Sequence, residues 1–439
     1  MRWWLLVLAA CSSSSTGEIV IDLRGAPELE VTRAFDVDGS RPVRVIGGAG
    51  HLVEAFVDDA RFADTDAPWF APRPVADELA LDVAGDGPVT LTVWTRGDAL
   101  PPVARDRSLA WFDGALLDDT SAISFAKVMA AVSPDGRGGV VFEKLFRAFA
   151  AGPGAGRATF AQFLDGVVAA QGSDAAQWNL DALPFKVTGV HDRVDLASGE
   201  HCGELRVSIA STHATFSPVH FIFLFRQPPR ADDVTPDGVV HCRGTARAWS
   251  RLTALDEPAF RAAAKQMLTA GIVRDRFLLA ESVELSLSPW QWRQWALDAA
   301  GNFTNPPLFQ TIDVARVNAP GPTRDAFLAA VTANAPAIAA RTWSVPPMFR
   351  SAVAEVQPNS KAPLADLAPL SVSPDLPRAL GMIGCPRCHT DDADFIQTGV
   401  DRKPSPFYDQ ELDARAARLD ALGRGEAPPA PPFGPLQPL

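Results

Sequence analysis

The hydrophobic pattern changes its period near residue 108, and this change limits the folds that the chain can adopt. Before it, short segments such as Glu28–Val31 and Val43–Val45 alternate with a period of two, as half-buried strands do. After it, residues 121–129 and 141–149 place apolar side chains at i, i+3 and i+4, which predicts helices. We therefore predict an α+β chain with several domains, of which the first is all β.

Residues 18–100 are predicted to form an antiparallel β-sandwich-like module. Residues 78–83 and 89–94 alternate, and the glycine- and proline-rich residues 85–88 between them predict the turn of a hairpin. Short strands with regular turn signals are typical of a small sandwich. Trp69 and Trp94 are candidates for an aromatic binding platform, although two core tryptophans are the more common arrangement and the interpretation we favour.

Residues 105–343 are predicted to form a central α+β domain. Its most β-rich stretch runs from Pro184 to Gln227, and residues 220–226 form a nearly continuous apolar run typical of a strand buried on both faces. Residues 256–271 predict a helix, because acids and a proline open the segment and Gly271 ends it.

The later part of the chain is predicted to alternate between regular elements and proline-rich connections. Residues 276–285 predict a strand, and residues 289–295 predict the start of a helix because a proline opens them. The remaining divisions are a proline-rich connector at 344–372, a helical C-x-x-C-H segment at 373–424 and a proline-rich tail at 425–439.

Residues 1–17 resemble a bacterial lipoprotein signal and its tether. A charged start precedes an apolar run at 3–8 that is too short to span a bilayer, and Leu8-Ala9-Ala10-Cys11 is similar to a lipobox. The resemblance implies that Cys11 carries the lipid; a plain secretory signal with a chance cysteine is the alternative. We expect an exported chain held at a membrane through Cys11, by analogy the outer membrane, facing the periplasm or the cell surface.

Export places the cysteines in an oxidising compartment. With Cys11 lipidated, four of the five cysteines remain. The simplest pairing joins Cys202 to Cys242 in a structural disulfide and leaves Cys385 and Cys388 to act together. The first bond would close roughly 40 residues and contribute about 3–4 kcal/mol to stability.

Residues 385–389 read Cys-Pro-Arg-Cys-His, which is the C-x-x-C-H spacing of a c-type haem attachment site. In that interpretation Cys385 and Cys388 hold haem c covalently and His389 is the metal ligand on the proximal side. No methionine or histidine follows His389, so Met348 is the best candidate for the distal ligand. A disulfide between the two cysteines, a zinc site and a thiol redox pair remain as alternatives.

Several other functions find little support in the sequence. A net charge of −12 argues against a nucleic-acid partner. Residues 133–139 resemble a calcium loop only superficially, because Arg137 and Lys144 would occupy ligand positions. Five of the seven histidines lie between residues 191 and 241, but neither H-E-x-x-H nor G-x-S-x-G occurs. A hydrolytic or metal site in this region is therefore a minority hypothesis, and His191 and Glu204 are the residues to test for it.

The lipobox, the patterns at 190–196 and 202–206 and the late C-x-x-C-H together resemble a family of uncharacterised bacterial lipoproteins. The resemblance covers about residues 105–425 and implies an exported protein with a terminal C-x-x-C-H segment, but no substrate. We expect a haem-binding envelope lipoprotein that meets a redox partner or another envelope protein. The alternative is a non-enzymatic binding or structural lipoprotein whose cysteines form disulfides. Enzymatic turnover is not the favoured interpretation.

Overall fold

A computed structural model of the 439-residue chain gives the fold. The described residues are 17–22, 29–46, 51–58, 61–62, 69–75, 78–95, 103–152, 158–212, 219–230, 233–234, 239–284, 290–298, 301–308, 310–340, 342–356, 365–370, 372–381, 383, 401–403, 406–424, 426 and 428–429.

Helices and strands both contribute to the fold, which confirms the α+β class. The described α-helices are α1 Gly114–Leu117, α2 Phe125–Val132, α3 Gly138–Ala151, α4 Ala158–Gln171, α5 Arg243–Arg251, α6 Glu257–Gly271, α7 Val314–Asn318, α8 Pro322–Ala339, α9 Leu376–Gly381 and α10 Pro406–Arg424. The described strands are β1 Ile19–Asp22, β2 Leu29–Ile46, β3 His51–Asp58, β4 Arg61–Phe62, β5 Trp69–Val75, β6 Glu78–Thr95, β7 Ala110–Trp111, β8 Phe185–Asp192, β9 Glu204–Ser211, β10 Val219–Arg226, β11 Phe277–Glu284, β12 Trp290–Leu297, β13 Phe303–Thr304 and β14 Ala354–Val356. None of the described helices is long and apolar enough to cross a membrane.

The chain divides into two compact units, residues 1–99 with 257–270 and residues 100–256 with 271–439. In the first unit the described strands form one sheet in the order β1-β2-β6-β3-β5, and β4 pairs with β6. Strands β2 and β6 pair antiparallel along all 18 residues of each.

The predicted hairpin at residues 78–94 is wrong. Gly85 lies opposite Gly39, and Gly87 lies opposite Val37 in the continuous β2–β6 ladder. The glycines therefore lie inside a long paired strand, where Gly87 has a φ of 100°. Glycine occurs both at bends inside a strand and in the turn between two strands. The sequence pattern does not distinguish these two positions.

In the second unit the main sheet has the order β13-β12-β11-β10-β9-β8-β7, with β14 beside β12. Neighbouring strands pair antiparallel. The strands predicted around residues 185–226 and 276–285 are confirmed. The helix predicted to start at 289–295 is wrong, because Trp290–Leu297 is strand β12. Its side chains follow a period of two, with Gln294 opposite Glu281 of β11 and Trp295 opposite Ala280.

One face of this sheet packs on helix α3. The predicted helix at residues 141–149 is confirmed within α3, which buries an aromatic stripe of Phe142, Phe146 and Phe149. The ring of Phe149 stacks on Phe221 of β10 at a centroid distance of 5.5 Å. This apolar face is the main core of the unit, and it leaves the opposite face of the central strands for polar side chains.

Candidate functional site

The residues that the sequence assigns to lipid and haem fall outside the described part of the chain. They are Cys11, Cys385, Cys388 and His389. Trp69 and Trp94 lie in β5 and β6, but their side chains are not among those described. Met348 is described: it lies in a short 3₁₀ turn, Pro347–Phe349, with its side chain 55% exposed.

Cys202 and Cys242 lie at disulfide distance. Their Sγ atoms are 2.14 Å apart and their Cα atoms 5.2 Å apart. Only Gly203 separates Cys202 from the first residue of β9. Cys242 is the N-cap residue of α5 and has a left-handed conformation with a φ of 55°. The pair therefore joins the sheet to the start of α5.

The start of α5 is capped by a carboxylate from outside the helix. Asp233 is fully buried, and its Oδ1 accepts a hydrogen bond of 2.8 Å from the backbone N–H of Thr245. Its Oδ2 accepts from the Thr245 hydroxyl and, at 3.0 Å, from the backbone N–H of Arg230. An anion at this position satisfies free N–H groups and interacts favourably with the helix dipole. Sequence reasoning missed Asp233, which lies nine residues before Cys242.

A cluster of buried polar side chains lies around β8, β9, β11 and β12, the chain after β8, and helix α10. We call it the charge cluster, and its members are His191, Arg193, Asp195, Glu204, Arg206, Ser208, Glu281, Gln294, Glu411 and Arg415.

Ion pairs connect the charged members of the cluster. Arg193 and Asp195 make two contacts, with Nε 2.9 Å from Oδ1 and Nη2 3.0 Å from Oδ2. Arg206 Nε lies 2.5 Å from Glu204 Oε2. On α10, Arg415 Nη2 lies 2.9 Å from Glu411 Oε2. A buried charge is tolerated only when such a partner offsets its lost hydration.

The surroundings shift the ionisation of several buried groups. Burial lowers the pKa of His191 well below its ordinary value, and the positive charges of Arg415 and Arg206 lower it further. His191 is therefore a neutral imidazole, and its Nε2 hydrogen-bonds the hydroxyl of Ser208 at 2.9 Å. Burial raises the pKa of Glu281, to which Gln294 Nε2 donates a hydrogen bond of 3.2 Å.

The pKa values of Asp192 and Asp195, two acids that follow His191, are shifted in opposite directions. Burial raises the pKa of Asp192 well above its ordinary value, although Gln227 donates to its Oδ1 at 2.7 Å. Burial also acts to raise the pKa of Asp195, but the charges of Arg193 and Arg415 outweigh it and leave that pKa below its ordinary value. The surroundings therefore favour the ionised form of Asp195 and disfavour that of Asp192.

The residues of the hydrolase hypothesis, His191 and Glu204, are both in this cluster. They lie on adjacent strands, where Arg206 is the register partner of His191 and also holds Glu204. His191 is 1% exposed and Glu204 is fully buried. Side chains this deep and this engaged in hydrogen bonds and ion pairs hold the sheet together, and neither is presented to a substrate in this conformation. Among the described residues, no group of three or more His, Cys, Asp or Glu side chains is arranged to hold a metal ion.

Helix α10 packs beside the cluster with buried Leu412 and Leu419, and arginine side chains add contacts to backbone carbonyls. Arg418 donates from Nε and Nη2 to the carbonyl of Asp195, at 3.1 and 3.0 Å. At the C-terminal end of α10, Arg243 and Arg247 of α5 donate to the carbonyl of Gly423, at 3.3 and 2.7 Å. Cations at this end also match the helix dipole.

The described residues that flank 384–400 contact the rest of the second unit. Before it, Ile383 is 1% exposed in an apolar cluster that also contains Leu380 and Phe349. After it, Arg402 donates to both carboxylate oxygens of Asp118, at 2.9 and 2.5 Å, and to the carbonyl of Val187. Ile383 and Arg402 are thus the described contacts that precede and follow the C-x-x-C-H residues.

Comparison with known proteins gives little further information. No protein-family model matches the chain, and no curated protein matches it. Among solved structures, the chain is similar to the crystal structure of Aeromonas hydrophila PliG, a periplasmic lysozyme inhibitor of g-type lysozyme. The sequence identity is 11% and the TM-score is 0.13, and the match covers 18% of this chain and all of that chain. A TM-score this low establishes no shared fold and supports no functional conclusion.

Proposed function

We propose that the chain is an exported lipoprotein of the cell envelope whose α+β domain carries a C-terminal segment for covalent haem. The observation that supports this most is the 2.14 Å separation of the Cys202 and Cys242 sulfurs. A disulfide fits an oxidising compartment, where covalent haem is also attached to exported chains. It uses two cysteines and leaves Cys385 and Cys388 for the attachment site, with His389 as the proximal ligand.

The contacts of the residues that flank 384–400 are compatible with this function. When bound, haem supplies one-electron chemistry. The chain's described contribution is to hold the residues on either side of the attachment segment, through buried Ile383 before it and the Arg402–Asp118 pair after it.

Attachment to the membrane is proposed to use a lipid on Cys11, most simply at the outer membrane. Fractionation of cells that express the full chain, beside a Cys11→Ser variant, tests this part separately. The wild-type chain should partition with membranes and take up labelled palmitate. Recovery of both chains in the same membrane fraction, with neither labelled, would overturn it.

The haem proposal is tested by the absorption spectrum of the chain, expressed with its signal in a strain competent for cytochrome c assembly. The expected result is a Soret band that persists after denaturation and acid extraction, because the haem is covalently bound. The Cys385→Ala/Cys388→Ala variant should lose this band, whereas Cys202→Ala/Cys242→Ala should keep it if the chain folds. A colourless wild-type chain from that strain rules out haem.

The alternative is a non-enzymatic binding or structural lipoprotein whose four remaining cysteines form two disulfides. It is favoured by the same Cys202–Cys242 proximity, which indicates that the chain uses cysteines for cross-links. Mass spectrometry of non-reduced peptides distinguishes the two functions. A haem adduct on the peptide that contains Cys385 supports the first, and a Cys385–Cys388 disulfide without an adduct supports the second.

A further inference from the structure

The main sheet carries a compact patch of side chains on strands β10, β11 and β12, on the face opposite to the one that packs on α3. Residues that are direct register partners in an antiparallel pair lie on the same face. We call this set the β10–β12 patch, and its two rows are Ile222, Glu281, Gln294 and His220, Val283, Trp292. The spacing between strands and the rise along them give the patch a size of about 10 Å by about 7 Å.

Solvent reaches the β10–β12 patch, whereas the α3 side of β10 is closed. His220 and Ile222 are each 8% exposed, and Trp292 is partly exposed. Phe221 and Phe223 alternate with them along β10 and are 1% and 0% exposed. A small molecule can therefore approach these strands from the patch side.

Within the described part of the chain, His220 lacks the hydrogen-bond partner that a buried imidazole usually has. Burial lowers its pKa to about 4, and no charge or hydrogen bond of the described residues contributes to this shift. The ring is therefore neutral at neutral pH, with one nitrogen that donates and one that accepts. Buried polar groups nearly always have a partner, and one without a partner points to a molecule that binds there.

The other polar groups of the patch favour an uncharged ligand. Burial raises the pKa of Glu281 and disfavours its ionised form, and Gln294 Nε2 donates to its Oε1 at 3.2 Å. None of the six side chains is a lysine or an arginine. The neighbouring Arg206 pairs with Glu204, with Nε 2.5 Å from Oε2. An anion would therefore find no cation among the six side chains, and a cation would require the ionised form of a buried acid.

We propose that the β10–β12 patch binds a neutral saccharide. The hydroxyl groups of a sugar both donate and accept hydrogen bonds, which suits the neutral imidazole of His220 and the carboxyl of Glu281. The C–H faces of a sugar ring pack on aromatic and aliphatic side chains, and Trp292, Ile222 and Val283 supply this surface. Binding at this patch is independent of haem attachment.

The proposal is tested by screening the full chain on an array of immobilised neutral and acidic oligosaccharides, followed by calorimetric titration with each free sugar that binds. The expected result is binding of neutral sugars with a micromolar to millimolar Kd, since a site of this size forms few contacts. Hydroxyl-radical footprinting of the wild-type chain should show less oxidation of His220 and Trp292 when the sugar is bound. The proposal is overturned if no neutral sugar binds, if only acidic sugars bind, or if the oxidation of both residues is unchanged.

Variants of the patch assign the binding to its side chains. His220→Phe keeps an aromatic ring but removes both nitrogens, and it should weaken binding on the order of tenfold. Trp292→Ala removes the aromatic surface and should weaken binding to a similar extent. Glu281→Gln keeps a partner for Gln294 and carries no charge, so its affinity should stay within about threefold of wild type. Wild-type affinity in both His220→Phe and Trp292→Ala, or loss of binding in a folded Glu281→Gln chain, contradicts the proposal.

Ser282→Ala is the matched control on the opposite face of β11. Ser282 lies between Glu281 and Val283 and accepts a hydrogen bond of 2.8 Å from Trp295 Nε1, so its replacement should cost stability without changing the patch. The Ser282→Ala chain should therefore bind sugar as the wild type does, and circular dichroism shows whether each variant is folded. Equal weakening in Ser282→Ala and His220→Phe would attribute the loss to stability and contradict the proposal. Footprinting of the wild-type chain decides the matter for any variant that does not fold.

Discussion

Arg193 and Asp195 form a bidentate ion pair in which both side chains are only 6% exposed. The pair lies directly after β8, and the carbonyl of Asp195 also receives Arg418 from α10. Two residues that are close in sequence therefore connect the end of strand β8 with the C-terminal helix.

Removal of the carboxylate from this pair should destabilise the domain strongly. Asp195→Ala removes both short contacts of the buried Arg193 guanidinium and leaves it only the longer one of 4.0 Å to Glu411, and we expect a loss of about 3–5 kcal/mol in the free energy of unfolding. Urea denaturation followed by circular dichroism measures it. The control is Arg147→Ala, which breaks an exposed ion pair with Glu143 and should cost less than about 1 kcal/mol. A similar small effect in both variants would show that the buried pair contributes no stability.

Loss of the Cys202–Cys242 cross-link should also destabilise the domain. The bond closes a separation of 40 residues, and the chain-entropy relation gives about 4 kcal/mol for a loop of this length. Denaturation of the wild-type chain with and without a reductant, beside Cys202→Ala/Cys242→Ala, measures the effect. The variant should match the reduced wild type and lose its response to the reductant. A reductant effect that persists in the variant would assign the stabilisation to other cysteines.

The sequence predicts several elements of the second unit because their patterns are local. The apolar run at 220–226 and the i, i+3, i+4 spacing at 141–149 report burial directly, and both elements are present in the structure. The prediction is wrong at residues 290–297, where Trp-Gln-Trp-Arg-Gln-Trp follows a proline. A proline often opens a helix, and the tryptophans at 290, 292 and 295 do not keep a strict period of two, so the local pattern does not identify the strand.

The charge cluster could be predicted only in part. His191 and Glu204 stand out in the sequence as polar residues within a β-rich stretch, and the structure brings both into the cluster. Their surroundings could not be read from the sequence, because Glu411 and Arg415 lie about 200 positions further on. The residues next to a histidine do not show whether its side chain is buried. Only the tertiary contacts show that His191 is buried.

Acidification should destabilise the fold through buried histidines, and His220 is the clearest case. Burial lowers the pKa of His220 from 6.5 to about 4. Because this pKa is lower in the folded chain than in the unfolded chain, the stabilisation is present above about pH 6.5 and is lost as the pH falls towards 4. The loss from this group amounts to up to about 3 kcal/mol.

Comparison of wild type with His220→Gln isolates this contribution. His191 contributes a loss of the same sign, since its pKa is also lowered, so the wild-type profile contains both effects. The free energy of unfolding, measured by urea denaturation between pH 7 and pH 4, should fall less steeply in His220→Gln. Identical slopes would show that His220 titrates near its ordinary pKa in the folded chain.

Two glycines should respond in opposite directions when replaced by alanine. Gly203 has a φ of +88°, and a Cβ at this position would lie 2.1 Å from the carbonyl oxygen of Arg193. Gly203→Ala must therefore move the backbone at the start of β9, beside Cys202, and should cost at least about 2 kcal/mol. Gly166 lies within α4 and has open space around its Cα, so Gly166→Ala should stabilise the chain by up to about 1 kcal/mol. Thermal or urea denaturation of the two variants measures both changes in the free energy of unfolding. A stabilising Gly203→Ala would contradict the left-handed backbone conformation of Gly203, the residue before Glu204.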